Sequence, residues 1–277
     1  NKLLNGVSAR MPELPEVNTL AVALARQLRN DSISAWSRLS PRLRQPIPDA
    51  AEAAPVTGRR IRDVRRVAKA IYIDFGGKQF LKIHLGMTGY FCLSQKPQKP
   101  VKHAHLQLQL ASGRTLTFCD PRRFGSIEIT SLPAERIVEP FSGELTLVYL
   151  KAACADRECN IKALIMDQQV IAGLGNIYAA ESLFKAGIRP DRPAGSLKPA
   201  EIRKLCDACI SVIGVAVQAG IDSLGDRPEI DNQTTHFDIE TLVYDRQNEL
   251  CHRCGKSSIE MVRISGRSSC FCPACQK

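Results

Sequence analysis

The chain has 277 residues, enough for one large or two modest domains. Hydrophobic residues make up 44% and charged residues 24%, a globular balance that excludes a largely disordered chain. No apolar run approaches the ~20 residues of a membrane span, so neither a bilayer-crossing segment nor a membrane partner is expected. The charge is less ordinary: 38 Lys and Arg against 28 Asp and Glu give +10 and a pI near 9.2. That excess points to a polyanionic partner, nucleic acid first. The 11 cysteines are odd in number and clustered, unlike a small secreted disulfide scaffold. Residues 1–10 lack the apolar core of a signal peptide, and a reducing cytoplasm is the expected location.

In chain order, Val17, Leu20, Ala21, Leu24 and Leu28 recur at helical spacing near the start. Residues 71–75, 80–84, 106–110 and 115–118 alternate apolar and polar side chains, the pattern of half-buried strands, with 111–114 as a hairpin turn. The region 12–131 therefore reads as a sandwich or barrel with an N-terminal helix. Pro133, Pro140 and Gly143 mark 132–143 as a linker. Residues 144–244 are helical in pattern. Asn160 is placed to cap one helix, Gly187 to close another, and a longer helix begins at Pro199 with Ile202, Leu205, Cys209, Val212 and Ile213 as its buried stripe. Residues 222–240, polar and containing Gly225 and Pro228, read as a mobile loop. The last zone, 245–277, is rich in Cys and Arg.

Cys251-His-Arg-Cys254 and Cys272-Pro-Ala-Cys275 are two CxxC knuckles. Each offers two thiolates on one tight turn, and together they make a four-sulfur set suited to one structural Zn2+. With all four positions filled by protein, no site is left for catalysis at the metal. Cys206 and Cys209 lie in an apolar helical pattern and read as core; Cys270 would point away from Cys272 on a strand. Arg253, Lys256, Arg263, Arg267 and Lys277 against Glu260 leave the segment from Cys251 strongly basic, as a hairpin on a phosphate backbone would be.

Met11-Pro-Glu-Leu-Pro-Glu-Val17 places two prolines where only a helix start tolerates them, with Glu13 and Glu16 near the positive end of the dipole. By itself this is a well-capped helix. It is joined by RRVAKAIYIDF at 65–75, HLGMTG at 84–89, DPRRFG at 120–125, MDQQVIAGLGNIYAAESLF at 166–184 and GRSSCFCPACQK at 266–277. With these motifs in this order, the chain resembles the bacterial formamidopyrimidine-DNA glycosylases. These are base-excision repair enzymes for oxidised purines, within a wider family that includes endonuclease VIII.

The resemblance implies an α+β multi-domain fold: an N-terminal β-sandwich with flanking helices, a helix–two-turn–helix domain and a C-terminal zinc-finger β-hairpin. It implies that the extension 1–11 is absent from the working enzyme and that Pro12 becomes a free secondary amine. That amine would attack C1′ of the damaged nucleotide, with β,δ-elimination following. Glu13 would be the general acid/base and Lys69 would assist near the lesion phosphate. Met87, Arg122 and Phe124 would fill the hole left by the extruded base. Lys162, Asn176 and Arg267 would hold the DNA backbone. The partner is double-stranded DNA containing oxidised bases, bound by a monomer associated with the bacterial nucleoid.

Read without the resemblance, Lys69 is one more base after Arg59, Arg60, Arg62, Arg65 and Arg66, an arginine segment suited to duplex phosphates. Met87 and Phe124 read as core residues. The Ala172-Gly-Leu-Gly-Asn-Ile177 loop lets a phosphate approach a helix N-terminus that Asn176 is placed to cap. Two departures stand out: the residues preceding Pro12, and the segment 221–237, which follows the family pattern poorly at its centre. The alternatives are an endonuclease VIII-like glycosylase for oxidised pyrimidines, and a zinc-dependent DNA-binding protein without catalysis should Pro12 stay in peptide linkage.

Overall fold

The structure, a computed structural model, describes residues 11–96, 99, 101–131, 137–227 and 229–277. The extension 1–10, residues 132–136 of the linker and Pro228 of the polar loop lie outside the described residues. Two units divide the chain: one drawn from Asn1–Glu135 and Gly220–Phe237, the other from Arg136–Ala219 and Asp238–Lys277.

In the first unit, α1 (Leu14–Leu28) starts where Pro15 cannot extend a helix backwards, and the Glu16 carboxylate accepts the Glu13 N–H at 2.9 Å as half of a capping box. Eight strands follow: β1 (Ile33–Arg38), β2 (Asp63–Val67), β3 (Ala70–Asp74), β4 (Phe80–His84), β5 (Tyr90–Ser94), β6 (Ala104–Leu110), β7 (Thr115–Cys119) and β8 (Ser126–Thr130). They form two antiparallel sheets, ordered β1-β6-β7-β5 and β2-β3-β4-β8. One core joins Leu106, Leu116 and Phe118 of the first sheet to Ile71, Ile83 and Ile127 of the second. Val17, Leu20, Leu24 and Leu28 of α1 complete it, so the sheet-rich region is a sandwich and not a barrel.

The strands differ from the half-buried expectation. β7 is buried along its whole length because it lies inside its sheet, and its polar Thr117 takes a 3.4 Å hydrogen bond from the buried Gln107 of β6.

The second unit holds α2 (Leu147–Cys154), α3 (Ile161–Met166), α4 (Asn176–Ala186), most of α5 (Pro199–Leu224), and the hairpin β9 (Glu260–Ile264) and β10 (Arg267–Phe271). Gly187, at φ 74°, ends α4 in the left-handed conformation that glycine adopts without strain. Asn160 precedes α3, but its side-chain amide donates to the Asp191 carbonyl at 2.8 Å instead of capping.

Helix α5 bears only on the reading of apolar runs. Its charges gather in the first turns and at Asp222, leaving a stretch long and apolar enough by length and composition to cross a bilayer, with mean hydropathy 1.6 and 39% of it buried. Its apolar side chains make an inward stripe of Ile202, Leu205, Cys209 and Ile213.

The loop after α5 is tied down. Leu93 of β5 donates to the Ile230 carbonyl at 2.9 Å, Arg26 to the Gly225 carbonyl at 2.9 Å, and Ile230 is buried in the first unit's core.

Candidate active site and nucleic-acid interface

Pro12 and Glu13 are both buried at the N-terminal end of α1, and Met11 is exposed. In the sequence as it stands, the Pro12 nitrogen is an amide joined to Met11. Lys69 lies half-buried in the two-residue turn between β2 and β3, where Ala68 adopts φ 52°. Arg66, just before that turn, donates from Nε to Asn18 Oδ1 on α1 at 3.3 Å and from its terminal nitrogen to the Ala68 carbonyl at 3.1 Å. These two bonds hold the Lys69 turn beside the first turns of α1.

His84 ends β4 opposite Ala70, and its Nδ1 accepts the Gly86 N–H at 3.0 Å. Burial first, then the positive charges of Lys69, Arg44 and Lys82, hold the imidazole pKa below its ordinary value. A neutral imidazole thus stands next to Lys69, which the sequence reading did not single out. Its only signal was membership of the HLGMTG segment.

The loops carrying Met87 and Phe124 are packed backbone to backbone. Gly86 has φ +64°, and a Cβ there would lie 2.5 Å from the Phe124 carbonyl carbon; a Cβ on Gly125 would lie 2.8 Å from the His84 carbonyl oxygen. Between them sits the fully buried Asp120 carboxylate. Its Oδ1 accepts the Thr88 hydroxyl at 2.6 Å and the Arg122 N–H at 3.2 Å, and its Oδ2 accepts the Gly125 N–H at 2.8 Å. The rigid frame corrects the core reading of Phe124, and of Met87 in part. Phe124 is 45% exposed, Arg122 is exposed with its guanidinium 5.0 Å over the Phe124 ring, and Met87 is half-buried.

In the second unit, Gln168 braces the glycine loop by accepting the Gly173 N–H at 3.0 Å and donating to the Leu174 carbonyl at 2.9 Å. Gly175, not Asn176, is the N-cap of α4, so the expected Asn176 cap is not formed. Asn176 instead occupies the first helical position, and its Oδ1 accepts the Lys162 ammonium at 2.7 Å. Lys162 is 1% exposed and also donates to the Ser268 carbonyl and the Ser269 hydroxyl, each at 2.8 Å. One buried cation therefore joins α3, the start of α4 and β10. Arg267 stands exposed just past the Ser265-Gly266 turn, at φ 48° and 76°. Glu181, also outside the sequence reading, accepts the backbone N–H groups of Leu242, Val243 and Tyr244 at 2.9, 3.0 and 2.8 Å.

The thiols of Cys251, Cys254, Cys272 and Cys275 lie within 4.8 Å of one another. Tetrahedral sulfurs at the usual Zn–S length of ~2.3 Å stand ~3.8 Å apart. The Cys251–Cys275 and Cys254–Cys272 separations of 3.9 and 3.8 Å fit that geometry. N–H groups of Lys256 and Ser257 hold the Cys254 thiol down at about 6, favouring the thiolate a metal needs. Cys270 is buried beside the cluster but is not part of it.

Three family models match in chain order. They are the formamidopyrimidine-DNA glycosylase N-terminal domain over residues 11–127, the formamidopyrimidine-DNA glycosylase H2TH domain over 137–227, and a zinc finger found in FPG and IleRS over 248–277. The formamidopyrimidine-DNA glycosylase of Laribacter hongkongensis is 38% identical over 274 residues, taking in 96% of this chain and 100% of the relative. That of Thiobacillus denitrificans is 37% identical over 273 residues, with the same shares. The chain belongs to the formamidopyrimidine-DNA glycosylase family. Among solved structures, Lactococcus lactis Fpg with an abasic site containing DNA is similar at TM-score 0.84 and 27% identity, covering 96% of this chain and 100% of that one. The complex of the same organism's enzyme with a Fapy-dG containing DNA gives 0.84 at 28% identity, with the same coverage. Sandwich, H2TH helices and zinc-finger hairpin are thus the family's architecture, and the four cysteines hold one structural zinc.

Proposed function

We propose that the protein removes oxidised purines, 8-oxoguanine and formamidopyrimidines, from duplex DNA, with the Pro12 amine as nucleophile. A base-excision DNA glycosylase and AP lyase of this family acts through a base-extruded nucleotide, which costs a few kcal/mol of stacking. An α-amino group titrates near ~8, so part of it is neutral at physiological pH and can attack C1′. As the C1′–N bond forms, the base leaves with its electron pair and a proton. Glu13 protonates the sugar ring oxygen as the ring opens to an iminium. Loss of a C2′ proton then expels the 3′ phosphate, and a second elimination expels the 5′ phosphate. Lys69 sits beside the lesion phosphate, and the exposed Arg122–Phe124 stack with Met87 fills the vacated space. Asn176, positioned by Lys162, and Arg267 hold backbone phosphates. The reaction takes place in the bacterial cytoplasm, on nucleoid DNA.

The observation that carries the reading is the burial of Pro12 and Glu13 at the start of α1, beside the Lys69 turn. The family match beginning at residue 11 supports a working chain that starts at Pro12. Borohydride trapping on an 8-oxoguanine duplex tests it. Protein beginning at Pro12 is expected to form a covalent adduct, and protein retaining residues 1–11 is not. Absence of an adduct from the Pro12-terminated protein would refute the enzymatic reading and leave a zinc-dependent DNA-binding protein. Trapping only on oxidised pyrimidines would reassign the substrate class.

A further inference from the structure

The arginine segment does not act as one group. Arg65 lies 5.1 Å over the Phe80 ring and Arg66 is bound to α1 near the Lys69 turn. Arg59, Arg60 and Arg62 belong to the other end of the same sheet. In the register of β2 against β3, Asp63 faces Asp74 and Val67 faces Ala70, so Arg62 and Phe75 flank the end opposite Lys69. The C-terminal end of α1 meets them there: the Asn30 N–H donates to the Ile61 carbonyl at 2.9 Å, and Arg29 pairs with Asp63 at 2.5 Å. Helical rise from Leu14 to Leu28 puts this place about 21 Å from the start of α1.

A cavity of about 620 Å³ opens there, lined by Asn30, Arg59, Arg60, Arg62 and Phe75. Among the described residues, the three guanidiniums make no side-chain hydrogen bond or ion pair. The neighbouring carboxylates are already taken. Asp63 holds Arg29, Asp74 accepts the Gly76 N–H at 2.7 Å, and Asp31 pairs with Arg114 at 3.0 Å. The turn after β3 is built to seat the arginines. Gly76 and Gly77 have φ +75° and +60°, and a Cβ on Gly76 would fall 2.3 Å from Arg62 Nε, one on Gly77 3.1 Å from an Arg59 terminal nitrogen. Three like charges around one concavity repel one another, and an anion placed among them relieves that repulsion.

We infer that this cavity binds a compact polyphosphate, the di- or triphosphate group of a nucleotide. Guanidinium forks match phosphate oxygens two at a time, so three of them serve adjoining phosphates. The volume lies within the ~300–1,000 Å³ of small-molecule sites.

Titration calorimetry of the full chain with inorganic tripolyphosphate and with ATP, both free of divalent cation, tests the inference. Saturable one-to-one binding is expected for at least one probe. It should weaken about tenfold or more in Arg59→Gln/Arg62→Gln, equivalent to about 1.4 kcal/mol. Arg62→Gln alone, which leaves the strained Gly76-Gly77 turn in place, should weaken it in the same direction. Equal affinity for the two probes would assign recognition to the phosphates, and tighter ATP binding would add the nucleoside. Absence of saturable binding, or binding unchanged in Arg59→Gln/Arg62→Gln, would overturn the site. So would a variant whose only defect is weaker duplex binding with a shallower salt dependence, since that would return these arginines to the DNA backbone.

Discussion

Glu13 and His84 show how burial sets chemistry one residue at a time. Glu13 is 1% exposed at a helix start, where it and Glu16 form a reciprocal capping box that fixes the position of its carboxyl. Glu13→Gln keeps the shape and removes the proton. Single-turnover excision of 8-oxoguanine is expected to fall by about 10²–10⁴, with affinity for the lesion duplex retained. An equal loss of affinity would mark Glu13 as architectural. His84 makes a pH prediction. Its folded pKa is held below the unfolded value, so the unfolded chain takes up the proton first as pH falls. The contribution of His84 to stability is complete above the ordinary histidine pKa near ~6.5 and declines below it until the folded pKa is passed. Urea midpoints should fall from pH 7.5 to pH 5.5, and His84→Asn should flatten that dependence.

At the scale of elements, the two glycine-bearing loops after β4 and β7 explain why Arg122 and Phe124 are exposed and Met87 is only half-buried. A motif string shows Met87 and Phe124 as apolar residues, and apolar residues are usually buried. What holds Phe124 outward is the Asp120 carboxylate, whose hydrogen bonds to Thr88, Arg122 and Gly125 use up the polar groups inside the loop and leave the ring outside. Asp120→Ala removes those acceptors and strands buried donors. It is expected to cost about 3 kcal/mol, read as a lower denaturant midpoint, and to impair excision from duplex DNA as the Arg122–Phe124 stack loosens. Phe124→Ala should leave stability within about 0.5 kcal/mol while impairing the same excision. The Asn176 misreading has a similar origin. Asn is a common N-cap, but Gly175 precedes it and the buried Lys162 ammonium claims its carbonyl.

Over the whole molecule, zinc and charge act on different parts. The zinc hairpin packs into a small cluster with Ala180, Phe184, Val243 and Ile259, too little apolar surface to order the segment without a cross-link. Chelation is expected to release one zinc per chain and weaken lesion-duplex binding, because Lys162 loses the Ser268 carbonyl and Ser269 hydroxyl when β10 loosens. Atomic absorption with a parallel binding titration measures both. Binding that survives complete zinc loss would show that the hairpin stands without its metal. The charge, +10 in sum, is divided by the fold between the Lys69 turn, the basic hairpin and a separate arginine cavity.

Residue type and spacing suffice for the zinc ligands, the start of α1, the strand and helix identities of the strongest periods, and the family. Each is a local matter of residue type and spacing. CxxC geometry fits a turn, proline excludes helix positions before it, and periodicity follows the backbone repeat. Tertiary structure alone decided sandwich over barrel, the outward aim of Phe124, the join made by Lys162 and the separation of Arg59, Arg60 and Arg62 from Lys69. These depend on which distant segments meet: β4 on β8, α3 on β10, the end of α1 on the turn after β3. A run of five arginines reads the same in sequence wherever a strand carries its two ends, and a strand of five residues carries them about 16 Å apart.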